Sequence, residues 1–434
     1  MTERTLRAAL AGALAALGVR RTVGLDLGLT GEGLPHIDVE DPDLAVLLAD
    51  ADGTVNGGLG AAVLAGQLLH LSSLPGGTAY PDTVGSAEEL LDTLAAIDPM
   101  MPATTALHLD LDLGQDVPSD LSVTGEPERQ MAFQLSPSMQ GARLAVVAGV
   151  GVVRADATFA LAGFAERLGV PVLNTPMAKG VFRWNSPYHA GTCGLQARDP
   201  ELGGLNSAQV VILTGVGEDE LPSRPTGNVV ELDPRQLSLA AEGWTAPDGG
   251  PAARPPLYDA LAAIIGPAYE SEGSPLSAPR AALHLSGAAP DHAVAVAEAD
   301  LVGFWVGRAF PTATAGSVVI PTTPLPGFAA AGALMARLAG RPAVGVRAGS
   351  ASGELEAATL ALAERLGVGV AVQAWSPDAP RLSADDHARA TEEDYRRVGA
   401  ATTGSAVRQV AVAVDDLDAI VEVAGAPVAW ATGT

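Results

Sequence analysis

Four residues in the middle of the chain have the types and spacing of a site for a small anionic ligand. Gly149 and Gly151 follow an apolar, strand-like run and precede a helical one. Backbone amides at the start of such a helix can face a phosphate. Gly215 and Asp233 end two further apolar runs, so a parallel sheet would bring them to the same carboxyl edge. An aspartate at that edge can accept a hydrogen bond from a ribose hydroxyl.

Lys179 is the fifth candidate, because it is the only lysine in the chain. It follows a predicted strand end, where a compact ammonium group can contact a phosphate; the competing interpretation is a solvated loop lysine. The third glycine of a full dinucleotide fingerprint is missing, and a net charge of -25 repels free nucleotides at long range. If a small molecule such as FAD or ADP binds, we expect it to contact Gly149, Gly151, Lys179, Gly215 and Asp233.

The other reactive side chains form no recognisable catalytic or metal-binding pattern. Seven histidines are scattered without the spacing of zinc ligands. Ser73 does not lie in a Gly-x-Ser-x-Gly elbow, and the single cysteine, Cys193, is more typical of a small packing residue than of a nucleophile. The sequence therefore predicts no catalytic residue and no metal ligand.

The composition limits the class of protein. The 434 residues carry a formal net charge of -25, which argues against partners that need a basic face, namely nucleic acid and anionic membranes. One cysteine allows no intramolecular disulfide and suits a reducing compartment. No apolar run approaches the roughly 18 residues of a membrane helix, and the N-terminal segment lacks the layout of a signal peptide. We therefore expect a cytoplasmic protein.

The elements that must position the candidate residues form three predicted α/β domains. Strand-like runs alternate with helical ones, which is typical of open, mainly parallel sheets flanked by helices. The predicted domains are residues 1–125, 140–250 and 280–434, and Pro-rich linkers join them at 120–140 and 267–280.

Individual elements follow from the periodicity of apolar residues. Residues 144–148 and 229–232 are predicted strands of the central domain. A further strand is predicted at 44–48. In the third domain we predict a helix at 291–297 and a strand at 300–306.

The central domain resembles that of thiamin-diphosphate (ThDP) enzymes of the acetolactate synthase and pyruvate decarboxylase type. Those enzymes have a strand leading into Gly-x-Gly, a helix, Leu-Gly-Val-Pro-Val, Thr-x-x-x-Lys-Gly, and then His or Tyr with Gly. The same features occur here in the same order, as Gly149 and Gly151, residues 168–172, Thr175, Lys179 with Gly180, and residues 188–191. The resemblance implies that this domain can hold FAD or an adenine nucleotide.

The first domain is similar to the pyrimidine-binding domain of that family, in a shorter form. Leu17, Gly18 and Val19 match its helix-to-strand step, and residues 73–76 resemble its Ser-Gly-Pro-Gly segment. The glutamate that activates the cofactor in the family has no counterpart, because no Glu occurs between residues 41 and 87.

The third domain resembles the diphosphate-binding domain but lacks its metal motif. In the family a strand ends in Gly-Asp-Gly and an Asn ends the next strand, and these two side chains hold Mg²⁺. Here the turn is Ala348, Gly349 and Ser350, and no Asn occurs after Asn228. Three prolines also stand in the loop at 321–327, where the family has glycines.

The resemblance implies a catalytically degenerate homologue that acts as a binding or scaffolding subunit. It would form a homo-oligomer or sit beside a partner subunit, because the apolar runs at 61–65 and 329–338 need cover. ThDP–Mg²⁺ is not expected as a cofactor. The alternatives are an active ThDP-dependent lyase or decarboxylase with a non-standard site, and a regulatory protein that binds FAD or ADP.

Overall fold

A computed structural model of the chain describes residues 3–73, 79–100, 103–118, 134–136, 139–246, 248–397 and 404–430. The chain divides into two compact units, Met1–Met131 and Ala132–Thr434. Residues 74–76 of the Ser-Gly-Pro-Gly-like segment and most of the predicted linker at 120–140 lie outside the described residues. Within the described ranges, no helix has the length and apolar character needed to cross a membrane.

The first unit is built on a six-stranded sheet in the order β3-β2-β4-β5-β7-β6, and β1 and β8 form a separate antiparallel pair. Strand β5 runs antiparallel to β4 and β7, whereas the other pairs in the sheet are parallel. Its elements are β1 Glu3–Thr5, α1 Leu6–Ala16, β2 Thr22–Gly24, β3 His36–Asp38, α2 Pro42–Asn56, β4 Gly60–Leu64, β5 Leu68–Ser72, β6 Asp82–Val84, α3 Ala87–Ala95, β7 Thr104–Leu109 and β8 Asp116–Pro118.

The direction of β5 determines at which edge of the sheet the segment that begins at Ser73 lies. In register, Ser72 at the end of β5 lies opposite Gly60 and Thr104, which begin β4 and β7. Ser73 therefore lies at the amino edge of the parallel strands. Ligands of open α/β sheets bind at the opposite, carboxyl edge.

The strand predicted at 44–48 is wrong, because these residues lie in helix α2. Asp41 caps the helix by accepting hydrogen bonds from the amides of Asp43 and Leu44, and Pro42 occupies its first turn. The helix ends at Gly57, whose φ is 73°. Eleven of its fifteen residues are buried, so its sequence lacks the polar face that identifies a surface helix.

The second unit contains two parallel sheets. The central sheet has the order β11-β10-β9-β12-β13, and the third sheet has the order β14-β19-β18-β17-β15-β16. The elements of the central part are β9 Leu144–Ala148, α4 Val150–Arg154, α5 Thr158–Leu168, β10 Val172–Asn174, β11 His189–Thr192, α6 Asp199–Leu202, β12 Val210–Thr214, β13 Val229–Leu232, α7 Leu237–Ala240 and α8 Pro256–Tyr269.

The third sheet is flanked by the remaining helices. Its elements are β14 Leu276–Ser277, α9 Ala278–Ala288, β15 Val294–Ala297, α10 Leu301–Ala309, β16 Val318–Val319, α11 Phe328–Leu338, β17 Ala343–Ala348, α12 Glu354–Arg365, β18 Ala371–Ser376, α13 Ala384–Arg396, β19 Ala406–Ala413 and α14 Asp418–Ala424. One hydrophobic core runs from the central sheet into this one and includes Leu195, Leu257, Phe304 and Trp305.

The predicted helix at 291–297 and the predicted strand at 300–306 are both wrong. The first segment contains a strand, and the second forms a helix. Strand β15 ends at Ala297, and helix α10 begins at Leu301. The carboxylate of Asp300 caps α10 by accepting from the amides of Val302 and Gly303. Both segments are almost fully buried, and a short apolar run that is buried on all sides has no periodicity to separate helix from strand.

A buried ion pair joins the two halves of the second unit. The guanidinium of Arg308 on α10 donates to both carboxylate oxygens of Asp199, at 2.5 and 2.7 Å, and to the carbonyl of Thr192 at 2.7 Å. Asp199 also accepts from the amides of Gly194 and Leu195. Since every charge in this cluster is hydrogen-bonded, it fixes how the loops after β11 pack on α10.

Most of the two apolar runs that suggested an oligomer is already covered. Residues 61–63 are 0–1% exposed in β4, and residues 329–336 are fully buried in α11. The runs therefore provide no reason for a subunit contact, and the oligomeric state stays a prediction that rests on the family resemblance alone.

Candidate functional site at the carboxyl edge of the central sheet

The central sheet brings four of the five predicted site residues to one edge, with Gly151 bonded to Gly215. All its strands are parallel, and β9, β12 and β13 end in register at Ala148, Thr214 and Leu232. Gly149, Gly215 and Asp233 each follow one of these strand ends directly. This edge is where open α/β sheets bind ligands.

The glycines at this edge serve close packing of the backbone. The amide of Gly149 donates to the carbonyl of Thr214 at 2.9 Å, and the amide of Gly151 donates to that of Gly215 at 2.8 Å. A side chain at Gly149 would clash with the Gly215 carbonyl, and one at Gly151 would lie 2.8 Å from the Gly215 Cα. The amides of both glycines are therefore bonded within the chain.

Adding one methyl group tests this packing. We expect Gly149→Ala to lower the free energy of unfolding by about 1–3 kcal/mol, because the backbone must shift to admit the side chain. Gly163→Ala is the matched control, since Gly163 lies on α5 and a methyl group added there would meet no atom within 4 Å. Alanine at this helical position should be neutral or stabilising by up to about 1 kcal/mol. Urea unfolding of both variants checks the expectation, and equal stabilities would contradict it.

Glu220 occupies the anion position at this edge, and sequence reasoning missed it. Its carboxylate accepts from the amide of Val150 at 3.0 Å, from the amide of Gly217 at 2.7 Å, and from the hydroxyl of Thr175. Burial raises the pKa of this carboxyl, and these donors together with the charge of the buried Arg154 offset only part of that rise. The contacts of the carboxylate within the described residues are all hydrogen-bond donors, which satisfy its ionised form.

Lys179 is buried, so the solvated-loop interpretation is wrong. It is 4% exposed, and none of the described carboxylates lies within ion-pair distance of its ammonium. Burial, together with the nearby charge of Arg308, lowers the pKa of Lys179 to about 7. The next residue, Gly180, packs against the backbone of Thr314. The charged or titratable groups near its ammonium include Arg308 and His189.

Asp233 is engaged by a neighbour in sequence. Its carboxylate accepts from the amide of Arg235 at 2.8 Å and pairs with the guanidinium of the same residue at 2.6 Å. Burial raises the pKa of Asp233, but the bonds to Arg235 outweigh it and the net shift is downward. A ribose hydroxyl would have to compete with Arg235 for this carboxylate.

The corresponding edge of the third sheet carries a buried arginine. Arg347 on β17 donates to the carbonyl of Gly349 at 2.8 Å and to that of Ala348 at 3.1 Å. It also forms a two-pronged ion pair with Glu356 in the first turn of α12, and the two side chains are 5% and 1% exposed. The amide of Ala348 donates to Asp300 at 2.7 Å.

A magnesium diphosphate does not fit the donors at this turn. Mg²⁺ needs several oxygen ligands in octahedral geometry, and a guanidinium already holds the two turn carbonyls. No group of three or more His, Cys, Asp or Glu residues that could hold a metal occurs within the described ranges. Ser376 ends the next strand, and its hydroxyl accepts from the amide of Asp378 two residues further on.

Comparison with known proteins agrees with the architecture. Residues 139–241 match the family model "Thiamine pyrophosphate enzyme, central domain". The chain is 29% identical over 127 residues to the acetolactate synthase large subunit of Corynebacterium glutamicum, an alignment that covers 29% of this chain and 20% of that relative. The chain therefore matches about a fifth of that relative's length.

The fold is similar to that of a solved decarboxylase. The Rhodococcus jostii RHA1 thiamine diphosphate-dependent 4-hydroxybenzoylformate decarboxylase superposes with a TM-score of 0.66 at 15% identity, covering 94% of this chain and 99% of that chain. The predicted fold class, α/β with mainly parallel sheets in a ThDP-enzyme-like arrangement, is confirmed. Together the matches support a relation to the ThDP-dependent enzymes.

Proposed function

We propose that this protein is a catalytically degenerate relative of the ThDP-dependent enzymes that acts as a binding or scaffolding subunit. The observation that carries the proposal is Arg347, whose guanidinium bonds the turn carbonyls of Ala348 and Gly349 where the resemblance calls for a metal. Glu356 neutralises it from the first turn of α12.

Electrostatics support this interpretation. A divalent cation at the turn would lie beside a buried guanidinium, and like charges repel strongly where water is excluded. The first turn of α12, which could otherwise attract a phosphate, carries Glu354 and Glu356. Carboxylates already complement the positive end of that helix, so a diphosphate would meet negative charge there.

Calorimetric titration tests the proposal. We expect no magnesium-dependent heat when ThDP is added to the purified protein, because Gly349 offers no carboxylate to the metal. Magnesium alone serves as the blank, and an active ThDP enzyme of the same fold serves as the positive control. Micromolar, magnesium-dependent binding of ThDP would contradict the proposal and favour the alternative of an active lyase or decarboxylase.

Binding of FAD or ADP at the central edge stays a prediction. The shared edge of Gly149, Gly215 and Asp233 supports it, whereas Glu220 already fills the place of a phosphate at the Val150 amide. The same titration, repeated with FAD and ADP, separates a nucleotide-binding regulatory protein from a scaffold.

A further inference from the structure

A cavity of about 450 Å³ opens within the second unit, between the loops that follow the central strands and the end of β15. This volume lies in the range of pockets that bind small molecules. Its walls are largely apolar, and the side chains that line it include Met177, Asp219, Glu220, Asp300, Thr322 and Trp430.

The segment that ends the described chain forms one wall, and hydrogen bonds hold it in place. The amide of Val428 donates to the carbonyl of Leu195 at 3.0 Å, and the indole Nε1 of Trp430 donates to the carbonyl of Thr322 at 2.8 Å. Trp430 has a φ of 59°, which is an unfavourable conformation for a bulky residue. Such strain persists where surrounding contacts impose it, and it concentrates at binding sites.

The charged side chains among the described residues that line the cavity are all acidic, and two arginines lie behind its wall, Arg154 near Glu220 and Arg347 near Asp300. Three of its lining residues are acidic, and none of the described lining residues is Lys, Arg or His. Burial raises the pKa of both Asp300 and Glu220, and the several backbone amide bonds that each accepts offset only part of that rise. Asp219, by contrast, is exposed at the rim. The hydroxyl of Thr322 is buried without a hydrogen-bond partner among the described residues.

We propose that this cavity binds a small organic cation, an ammonium group attached to an apolar body. The ammonium would lie near Asp219 at the rim and the face of Trp430, since aromatic faces attract cations, and the apolar body would contact Met177. Anionic ligands are excluded because none of the described lining side chains offers them a positive charge. The inference goes beyond the proposed function and does not depend on it, because the cavity can bind a cation whether or not ThDP binds elsewhere.

Three probes of nearly equal size and different charge test the inference on the full chain. We expect benzylammonium to bind in isothermal titration calorimetry at least about tenfold more tightly than benzyl alcohol, and benzoate to give no measurable binding. Equal affinity for the three probes, or no binding of benzylammonium at millimolar concentrations, would overturn the proposal.

Variants connect the binding to this cavity. Trp430→Leu should weaken benzylammonium about three- to thirtyfold, the usual range for losing a cation–aromatic contact, and Asp219→Asn should weaken it several-fold. Glu218→Gln is the matched control, because Glu218 is an exposed acid beside Asp219 that does not line the cavity. Circular dichroism checks that each variant is folded. If the control weakens binding as much as Asp219→Asn, the effect is one of net charge and the assignment to this cavity is wrong.

Discussion

Replacing Glu220 with alanine should lower the free energy of unfolding by about 3–5 kcal/mol, the usual effect of removing one partner from a buried charged cluster. The carboxylate is 4% exposed and accepts from two amides and the hydroxyl of Thr175. Without it, these donors lose their acceptor and the buried Arg154 loses a nearby negative charge. Urea unfolding measures the loss.

The same variant should acquire a binding site for inorganic phosphate. The vacated position faces the Val150 and Gly217 amides, a hydroxyl and a cation, which together suit an oxyanion. Phosphate at ten times its Kd would restore about 1.4 kcal/mol of stability, measured against sodium chloride of equal ionic strength. The wild type should show no such gain, because Glu220 fills the position.

Two controls sharpen this experiment. Glu218→Ala removes an exposed acid two residues away and should change stability by no more than about 0.5 kcal/mol. Glu220→Gln keeps the shape of the side chain and should cost about 1–3 kcal/mol, because the charge is lost and an amide donor replaces one acceptor. A Glu220→Ala variant that is as stable as Glu218→Ala would show that the carboxylate is dispensable.

The sequence predicted the framework of this edge well but could not predict what fills it. Strands β9 and β13 have the predicted bounds, and Gly149 and Gly215 meet as their positions after strand ends implied. Glu220 lies 70 residues from Val150 along the chain, and no local pattern connects a glutamate in a loop with a distant amide. Such a contact is determined by the path of the loop after β12.

The errors in element type have a related physical origin. Helix α2 and the β15–α10 segment are buried on nearly all sides, so neither shows the alternation of polar and apolar residues on which periodicity depends. Asp41 and Asp300 are the caps that begin the two helices, and an N-cap signal could have identified both. No sequence pattern predicted the buried position of Arg347, because an arginine at a strand end is usually exposed.

The second large effect expected is acid destabilisation caused by a pair of buried histidines. His284 on α9 and His387 on α13 are joined through their Nδ1 atoms at 2.8 Å. Arg280 Nε donates to His284 Nε2 at 2.9 Å, so the proton of neutral His284 lies on Nδ1 and is donated to His387. His387 then donates through Nε2 to the side-chain oxygen of Gln373 at 3.2 Å. Both imidazoles must be neutral for this chain of bonds to exist.

Their surroundings oppose protonation. Burial, with the charge of Arg280, lowers the pKa of His284 to about 4. Burial, with the charges of His284 and Arg408, lowers the pKa of His387 to about 3. The pKa of an unfolded histidine is about 6.5, so between about pH 6.5 and pH 4 the unfolded state binds protons that the folded state does not. Stability is therefore complete above about pH 6.5 and falls as the pH decreases through this window.

We expect this pair to lower the free energy of unfolding by about 3 kcal/mol between pH 7 and pH 5, a value that allows for solvent near His284. Replacing both residues with leucine removes the titration, so the loss of unfolding free energy between pH 7 and pH 5 should be about 3 kcal/mol smaller than in the wild type. The control variant is His108→Gln, which alters a histidine of the first unit outside this hydrogen-bonded chain. Urea unfolding at the two pH values gives the comparison.

A third buried histidine does not disturb this comparison. His189 has a pKa lowered to about 3 mainly by burial, and since it is present in all three proteins, its contribution cancels in the differences. An unchanged loss in the double variant would mean that the two imidazoles are not the groups that take up the protons.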